Sequence, residues 1–209
     1  MRTYILMTVF VFAFAAAGCN AKQKSETNSE PESALEITYE IGDTGPAGGI
    51  VFYDKGSDSD GWRYLEAAPA STEFYAEWGL DDVPFETEIE IGTGKHNTPR
   101  IAAALTKNGE TGRAAQRVAA LRVNEFDDWF LPSWGELGLM YSNLYMRGLG
   151  GFTEAADYWS SSSFGYPGGG DDDEVVTHLG AYNMPFMQDG GGIGFARAQN
   201  NSVRAIRAF

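Results

Sequence analysis

The sequence predicts an α+β fold with short antiparallel strands, two to three helices and long glycine-rich loops over residues 37–209. Three observations lead there. Short apolar runs bounded by Asp and Gly stand near both ends of this region and read as strands. Helix start and stop signals cluster between them, from Thr98 to Gly148. The late strand-like runs are joined by two glycine-rich stretches, Gly165 to Asp173 and Met184 to Gly194, the kind of loop on which binding sites are built.

In order, Gly49 to Tyr53 is a strand ended by Asp54-Lys55-Gly56, and Trp62 to Leu65 resumes after Asp60-Gly61, which makes a hairpin. Thr98-Pro99 reads as an N-cap followed by proline at the first helical position, and Asn108-Gly109 ends that helix. Arg113 to Val123 reads as a second helix with Ala114, Val118 and Leu121 on one face. Ser133-Trp134-Gly135-Glu136 is a capping box, in which hydroxyl and carboxylate each satisfy an orphaned backbone N–H. Trp134, Leu137, Tyr141 and Leu144 then form one stripe, and Gly148 stops the helix. Tyr158 to Ser162, Val175 to Leu179 and Val203 to Arg207 read as strands of one late antiparallel sheet. All five tryptophans fall within residues 37–209, enough for one domain with a substantial core.

Residues 1–18 read as a lipoprotein signal peptide. An uncharged run from Tyr4 to Ala17 is too short to span a bilayer and leads into Ala16-Ala17-Gly18-Cys19, small residues before the only cysteine. Cys19 is the expected lipidation site, which makes the membrane a partner through the acyl anchor and places the protein in the cell envelope, at the outer membrane or cell surface. Residues 19–36 are polar and without apolar period, a flexible tether reaching about 20–25 Å as a coil. Lipidation would leave no cysteine for a disulfide, a thiolate metal site or a nucleophile.

The chain is strongly acidic, with a formal charge of −14 that becomes one unit more negative when Arg2 leaves with the signal peptide. That balance disfavours nucleic acid and anionic headgroups. Ser160 to Ser163 with His178 offers triad residue types, but no G-x-S-x-G elbow is present. Asp171, Asp172, Asp173 and Glu174 form the densest acidic cluster, and Asp58-Ser59-Asp60-Gly61 a second. Oxygen-rich loops suit calcium, with Asp171, Asp173 and Glu174 as candidates, although the EF-hand pattern fails and solvated loop acids are the favoured account. His96 and His178 lack ligand spacing, and no other cofactor is expected. A sugar ligand would need an exposed aromatic face and amides or carboxylates for its hydroxyls. Trp78, Tyr166, Asn183, Phe186 and Gln188, with Asp171, Asp172 and Asp173, are the candidate ligand-binding residues.

Four stretches carry a resemblance. Ile41 to Tyr53, with Gly42-Asp43-Thr44-Gly45-Pro46-Ala47-Gly48-Gly49, resembles an opening of spirochaete-type surface lipoproteins. Asp128-Trp129-Phe130-Leu131-Pro132-Ser133 with Glu136-Leu137, then Tyr158 to Ser162, then Val203 to Arg207, resemble in order the motifs of the Legionella collagen-like protein C-terminal domain family. Phe130 replaces the usual arginine. The resemblance implies a C-type-lectin-like fold, a glycan- or protein-binding adhesin and an oligomer. The oxidase chemistry of the related formylglycine-generating enzymes needs cysteines that a lipidated chain lacks, and the lectin calcium motifs E-P-N and W-N-D are absent. Sulfated glycans are disfavoured by the charge, with Arg204 and Arg207 the only cations considered for them and each expected to pair with a carboxylate. The expectation is a non-catalytic ligand-binding module, not an enzyme; a structural envelope lipoprotein is the alternative, and an enzyme of unknown class a remote third.

Overall fold

The computed structural model describes residues 37–79, 85–168, 176–188 and 197–209, with side chains described except at 166–168 and 176–178. Contacts divide the chain into Met1–Ile37 and Thr38–Phe209; all elements below belong to the second unit. The proposed signal peptide, Cys19 and the tether lie outside the described residues.

The fold is α+β. The strands are β1 (Ile50–Ser59), β2 (Trp62–Ala67), β3 (Phe74–Glu77), β4 (Asp157–Gly168), β5 (Val176–Pro185), β6 (Asn200–Val203) and β7 (Ile206–Ala208); the helices are α1 (Gly94–Lys107), α2 (Ala114–Ala119) and α3 (Trp134–Asn143). Among the described residues they make a three-stranded sheet, β1-β2-β7, and a four-stranded one, β3-β6-β4-β5. All pairings are antiparallel except β4 with β6, which run parallel at Tyr158 and Ser202.

The first hairpin forms as expected, but β1 runs on to Ser59 and the turn is Asp60-Gly61. Both turn residues have positive φ, 60° and 75°, the geometry that makes Asp-Gly a preferred two-residue hairpin loop. Asp60 is thus accounted for as a turn residue, facing Lys55 at 3.8 Å.

Helix α1 begins one turn earlier than the Thr-Pro signal suggests, and Pro99 lies inside it. Thr98 is no cap. Its buried hydroxyl donates to the Gly94 carbonyl at 2.9 Å and accepts the Leu131 N–H at 2.9 Å, which ties α1 to the segment entering α3. Helix α2 covers only the first half of its expected span, although Ala114 and Val118 are buried as anticipated. The capping box of α3 is present: Glu136 N–H reaches Ser133 Oγ at 3.3 Å, and Ser133 N–H reaches Glu136 Oε2 at 2.6 Å. Leu137, Met140 and Leu144 bury the stripe, whereas Trp134 and Tyr141 stay partly exposed. Gly148, at φ 69°, closes the turn after α3.

The closing run Val203 to Arg207 is not one strand. It breaks at Arg204-Ala205, so β6 joins the four-stranded sheet and β7 the other. Arg204 holds the break. Its guanidinium is buried against Glu73 at 2.6 Å and donates to the Gly150 carbonyl at 2.8 Å. Arg207 faces Glu66 at 3.1 Å and Asp128 at 2.5 Å. Both arginines are therefore paired internally.

Two apolar cores result, and extended segments feed both by alternation. Trp129, Leu131, Trp159 and Val203 pack with Trp78, Ile101, Leu105 and Val118. Phe130, Tyr158 and Ile206 pack with Phe52, Leu137, Met140, Leu144 and Phe186.

Gly94 sits where these layers meet. A Cβ there would stand 2.4 Å from Glu136 Oε2, 2.6 Å from the Leu131 carbonyl oxygen and 2.8 Å from Ser133 N. Glycine to alanine in a helix normally stabilises by about 1 kcal/mol. Gly94→Ala should invert that sign and destabilise by about 1–3 kcal/mol through overpacking, measured by urea unfolding; a stabilised variant would refute the close approach.

Candidate functional site

The serine run governs the local geometry. Trp159 pairs with Asn183, yet Ser163 pairs with Ala181, so Ser160, Ser161 and Ser162 of β4 face Tyr182 alone across β5. This bulge breaks the backbone ladder in a strand buried on both faces, and the serine hydroxyls replace what the ladder loses. Ser160 Oγ donates to the Tyr182 carbonyl at 2.7 Å, and Ser162 Oγ donates to the Glu88 carbonyl at 2.7 Å while accepting Trp134 N–H at 3.0 Å. Ser161 Oγ accepts from Asn97 Nδ2 at 3.2 Å. Ser163 Oγ donates to the Phe85 carbonyl at 2.8 Å. Each hydroxyl is committed to holding the chain in place.

What the serines hold is the segment from Phe85 to Gly92, which has no strand partner of its own among the described residues. Asn97 secures it from α1, accepting Glu88 N–H at 3.0 Å and donating to the Glu88 carbonyl at 2.8 Å. Glu136 secures it from α3, accepting Gly92 N–H at 2.9 Å. Glu136 is fully buried, and that burial pushes its carboxyl above the ordinary range against the lowering effect of its backbone donors at Ser133, Gly92 and Gly94. Glu66 is likewise raised by burial, offset by Arg207 and by backbone N–H groups of Ala47 and Gly49. The glycine-rich turn before β1 is the cradle of that carboxylate. Burial pushes the Tyr158 hydroxyl up to about 12, so it stays a neutral donor to Glu73 at 3.0 Å.

Pinned in this way, the Phe85–Gly92 segment, α1 and β4 enclose a cleft of about 400 Å3, lined by Phe85, Glu86, Thr87, Glu88, Arg100, Ser163, Phe164 and Gly165. That volume lies in the range of small-molecule sites, about 300–1,000 Å3. A row of partly exposed rings leads away from it: Phe164 to Tyr182 at 4.8 Å, then Tyr182 to Trp134 at 5.2 Å. Exposed Ile89 and Ile91 of the pinned segment lie against Gly135, the chain neighbour of Trp134. A larger hollow of about 730 Å3 lies over α1 and α2, but its lining of Ala102, Ala103, Thr106, Lys107, Thr111, Gly112 and Gln116 contains no aromatic face.

The sequence-selected residues do not converge there. Trp78 is 1% exposed, its indole N–H donating to the Ser160 carbonyl at 2.8 Å, so it supports the bulge instead of facing a ligand. Phe186 is fully buried at the centre of a ring cluster, 4.4 Å from Tyr158 and 5.0 Å from Phe152. Asn183 is buried on β5 opposite Trp159. All three are lost to solvent because Trp78 and Phe186 enter the two apolar cores and Asn183 is covered within β5 against β4. Gln188 is exposed and lines a separate, smaller cleft. Tyr166 lies on β4 opposite His178, with both side chains outside the described set. Asp171, Asp172, Asp173 and Glu174 lie outside the described residues. Among those described, no three His, Cys, Asp or Glu side chains are placed to hold a metal ion.

The residues that do form the surface row, Trp134, Tyr182 and Phe164, escaped sequence reasoning. Trp134 fits the buried stripe of α3 by spacing, and only its position at the first turn, beside β5, turns it outward. Comparison with protein-family models, with curated proteins and with solved structures finds no match to this chain.

Two outcomes separate scaffold from surface. Trp78→Ala should cost about 3–5 kcal/mol of stability, as for large buried aromatics, whereas Trp134→Ala should cost clearly less in the same thermal unfolding series. Because folding raises Glu136 above its ordinary value of 4.5, its stabilising share is complete below that value and is withdrawn as pH rises through the raised one. Lowering the pH from 7 toward 5 should therefore favour the wild type progressively over Glu136→Gln in denaturant titrations. A pH-independent difference would be inconsistent with the buried carboxyl.

Proposed function

We propose that this chain is a lipid-anchored cell-envelope protein, held at the outer membrane or cell surface, whose domain binds a carbohydrate without catalysis. The single observation that carries the ligand class is the row Phe164–Tyr182–Trp134 running out of a polar cleft. Half-exposed aromatic faces suit the C–H side of sugar rings. Glu86, Glu88 and Arg100, exposed at the cleft, suit hydroxyl groups. A row spanning three rings favours an oligosaccharide over a single sugar.

The non-catalytic reading is supported by the engagement of Ser160, Ser162 and Ser163, each of which donates its proton to a backbone carbonyl. A serine so held is a poor nucleophile, since activation requires a base within hydrogen-bond reach. The anchor reading rests on Cys19 and its preceding apolar run. No helix among the described residues is long and apolar enough to cross a membrane.

A lectin-like fold and membership of the collagen-like protein C-terminal domain family belong to the same proposal. They are supported by motif order and by the architectural work those motifs do here. Asp128 pairs with Arg207, and Phe130 bridges Ile206 through two backbone hydrogen bonds of 2.8 and 2.9 Å. The internal pairing of Arg204 and Arg207 argues against a sulfated ligand at those positions. A second reading, contact with an envelope protein, is favoured by Ile89 and Ile91, which leave apolar surface beside Gly135.

On a glycan array the intact domain should show saturable binding that Phe164→Ala and Trp134→Ala each weaken about tenfold or more, the loss expected when a large apolar side chain no longer buries its face, about 1.5–3 kcal/mol. A blank glycan array with saturable binding to one envelope protein, lost on Ile89→Ser, would replace the first reading by the second. For the anchor, Cys19→Ser should move the full-length protein from the detergent phase to the aqueous phase on partitioning of whole cells. Retention in the detergent phase would remove the lipoprotein assignment.

A further inference from the structure

A second, smaller cleft of about 210 Å3 opens where the turn after α3 meets the end of β5, lined by Tyr145, Gly148, Leu149, Gly151, Phe152, Glu154 and Gln188. Three of its features are unspent by the fold. Tyr145 is more than nine-tenths buried, and its hydroxyl has no hydrogen-bond partner among the described residues. Buried polar groups are ordinarily satisfied, so an orphaned hydroxyl in a cleft wall is a position a ligand can complete. Glu154 is exposed and has no ion-pair partner among the described residues, yet it lies close enough to Tyr145 to help burial raise the phenol. Gln188 is exposed at the same cleft and brings both a donor and an acceptor.

The surroundings favour a positive ligand. The chain carries −14 overall; Arg204 is spent behind this loop on Glu73 and on the Gly150 carbonyl, and Arg147, exposed beside Gly148, is not among the residues that line the cleft. An unpaired carboxylate and an amide oxygen at one small opening, with a phenol oxygen buried in the wall behind them, offer acceptors for the three N–H donors of a primary ammonium. Leu149 and Phe152 offer apolar walls for an alkyl stem. The cleft is narrower than the Phe164 cleft, as a single side chain requires.

We infer that this cleft binds a primary alkylammonium group, the lysine side chain of a basic partner protein. The site is separate from the aromatic row and does not depend on the carbohydrate reading, so either can fail alone.

The test is an NMR titration of the isotope-labelled soluble domain with acetyl-Gly-Lys-Gly-amide and with its norleucine analogue, which keeps the alkyl stem and loses the charge. The lysine peptide should shift the amide signals of Gly148 and Gly151 and the side-chain amide of Gln188 saturably. Its affinity should exceed that of the norleucine peptide by about tenfold and fall with added salt, as an accessible charge pair must. Glu154→Gln should bring the two peptides to equal affinity. Tyr145→Phe, which keeps the ring and the fold, should weaken the lysine peptide about threefold, near the lower end for loss of one hydrogen bond. Equal affinities in the wild type, shifts mapping elsewhere, no saturable shift, or no effect of Glu154→Gln would each overturn the assignment.

Discussion

A strand buried on both faces cannot break its hydrogen-bond ladder unless something replaces the lost bonds. Strand β4 breaks its ladder at Ser160, Ser161 and Ser162, and everything near the candidate site follows from the repair. Buried backbone groups left unpaired cost about 1–3 kcal/mol each. Three short hydroxyls are the least bulky side chains that can donate and accept within that space. Ser160 reaches the Tyr182 carbonyl on one side, Ser162 reaches the Phe85–Gly92 segment on the other with Ser163 beside it, and Ser161 meets Asn97. Serine in this strand is therefore structural mortar.

The repair connects both cores. Trp78 and Asn97 approach the bulge from the α1 side, and Ser133 and Glu136 from the α3 side. Glu136 is a buried carboxylate satisfied by N–H groups, with no cation paired to it among the described residues. Gly94 permits that arrangement, because any side chain there would occupy the space the carboxylate needs. Elsewhere the buried charges are paired outright. Arg204 with Glu73 and Arg207 with Glu66 fix the two ends of the break between β6 and β7. Such pairs add little net stability, yet losing one partner leaves a charge stranded, so they specify where the closing strand changes sheets.

This scaffold separates support from surface. The motif aromatics Trp129, Tyr158 and Trp159 go inward, and the exposed rings come from positions that no motif marks. Phe164 and Tyr182 lie on neighbouring strands just past the bulge, and Trp134 is aligned with them by its backbone bond to Ser162. For the proposed oligosaccharide ligand, the hydrogen-bonded supporting network would keep the ordering cost on the protein side small. The second cleft, built on the turn after α3, draws on different residues and a different chemistry.

By itself the sequence determined what is local. The Asp-Gly hairpin, the Ser133–Glu136 box, the Asn108-Gly109 stop and the mixture of strand and helix are written in short-range steric and hydrogen-bonding preferences, and these survive into the structure. The internal pairing of Arg204 and Arg207 followed from charge balance alone. Tertiary structure decided the rest. Helix α1 starts a turn before Thr98-Pro99 because Asn97 and Thr98 find distant partners that outweigh the local capping signal. The run Val203–Arg207 divides between two sheets because Arg204 is drawn to Glu73, far away in sequence. Trp78, Asn183 and Phe186 have the composition of a binding loop and are buried, while Trp134 has the spacing of a core residue and is not. Burial depends on which chain segments arrive on either side, and that long-range information is absent from the spacing of any one segment.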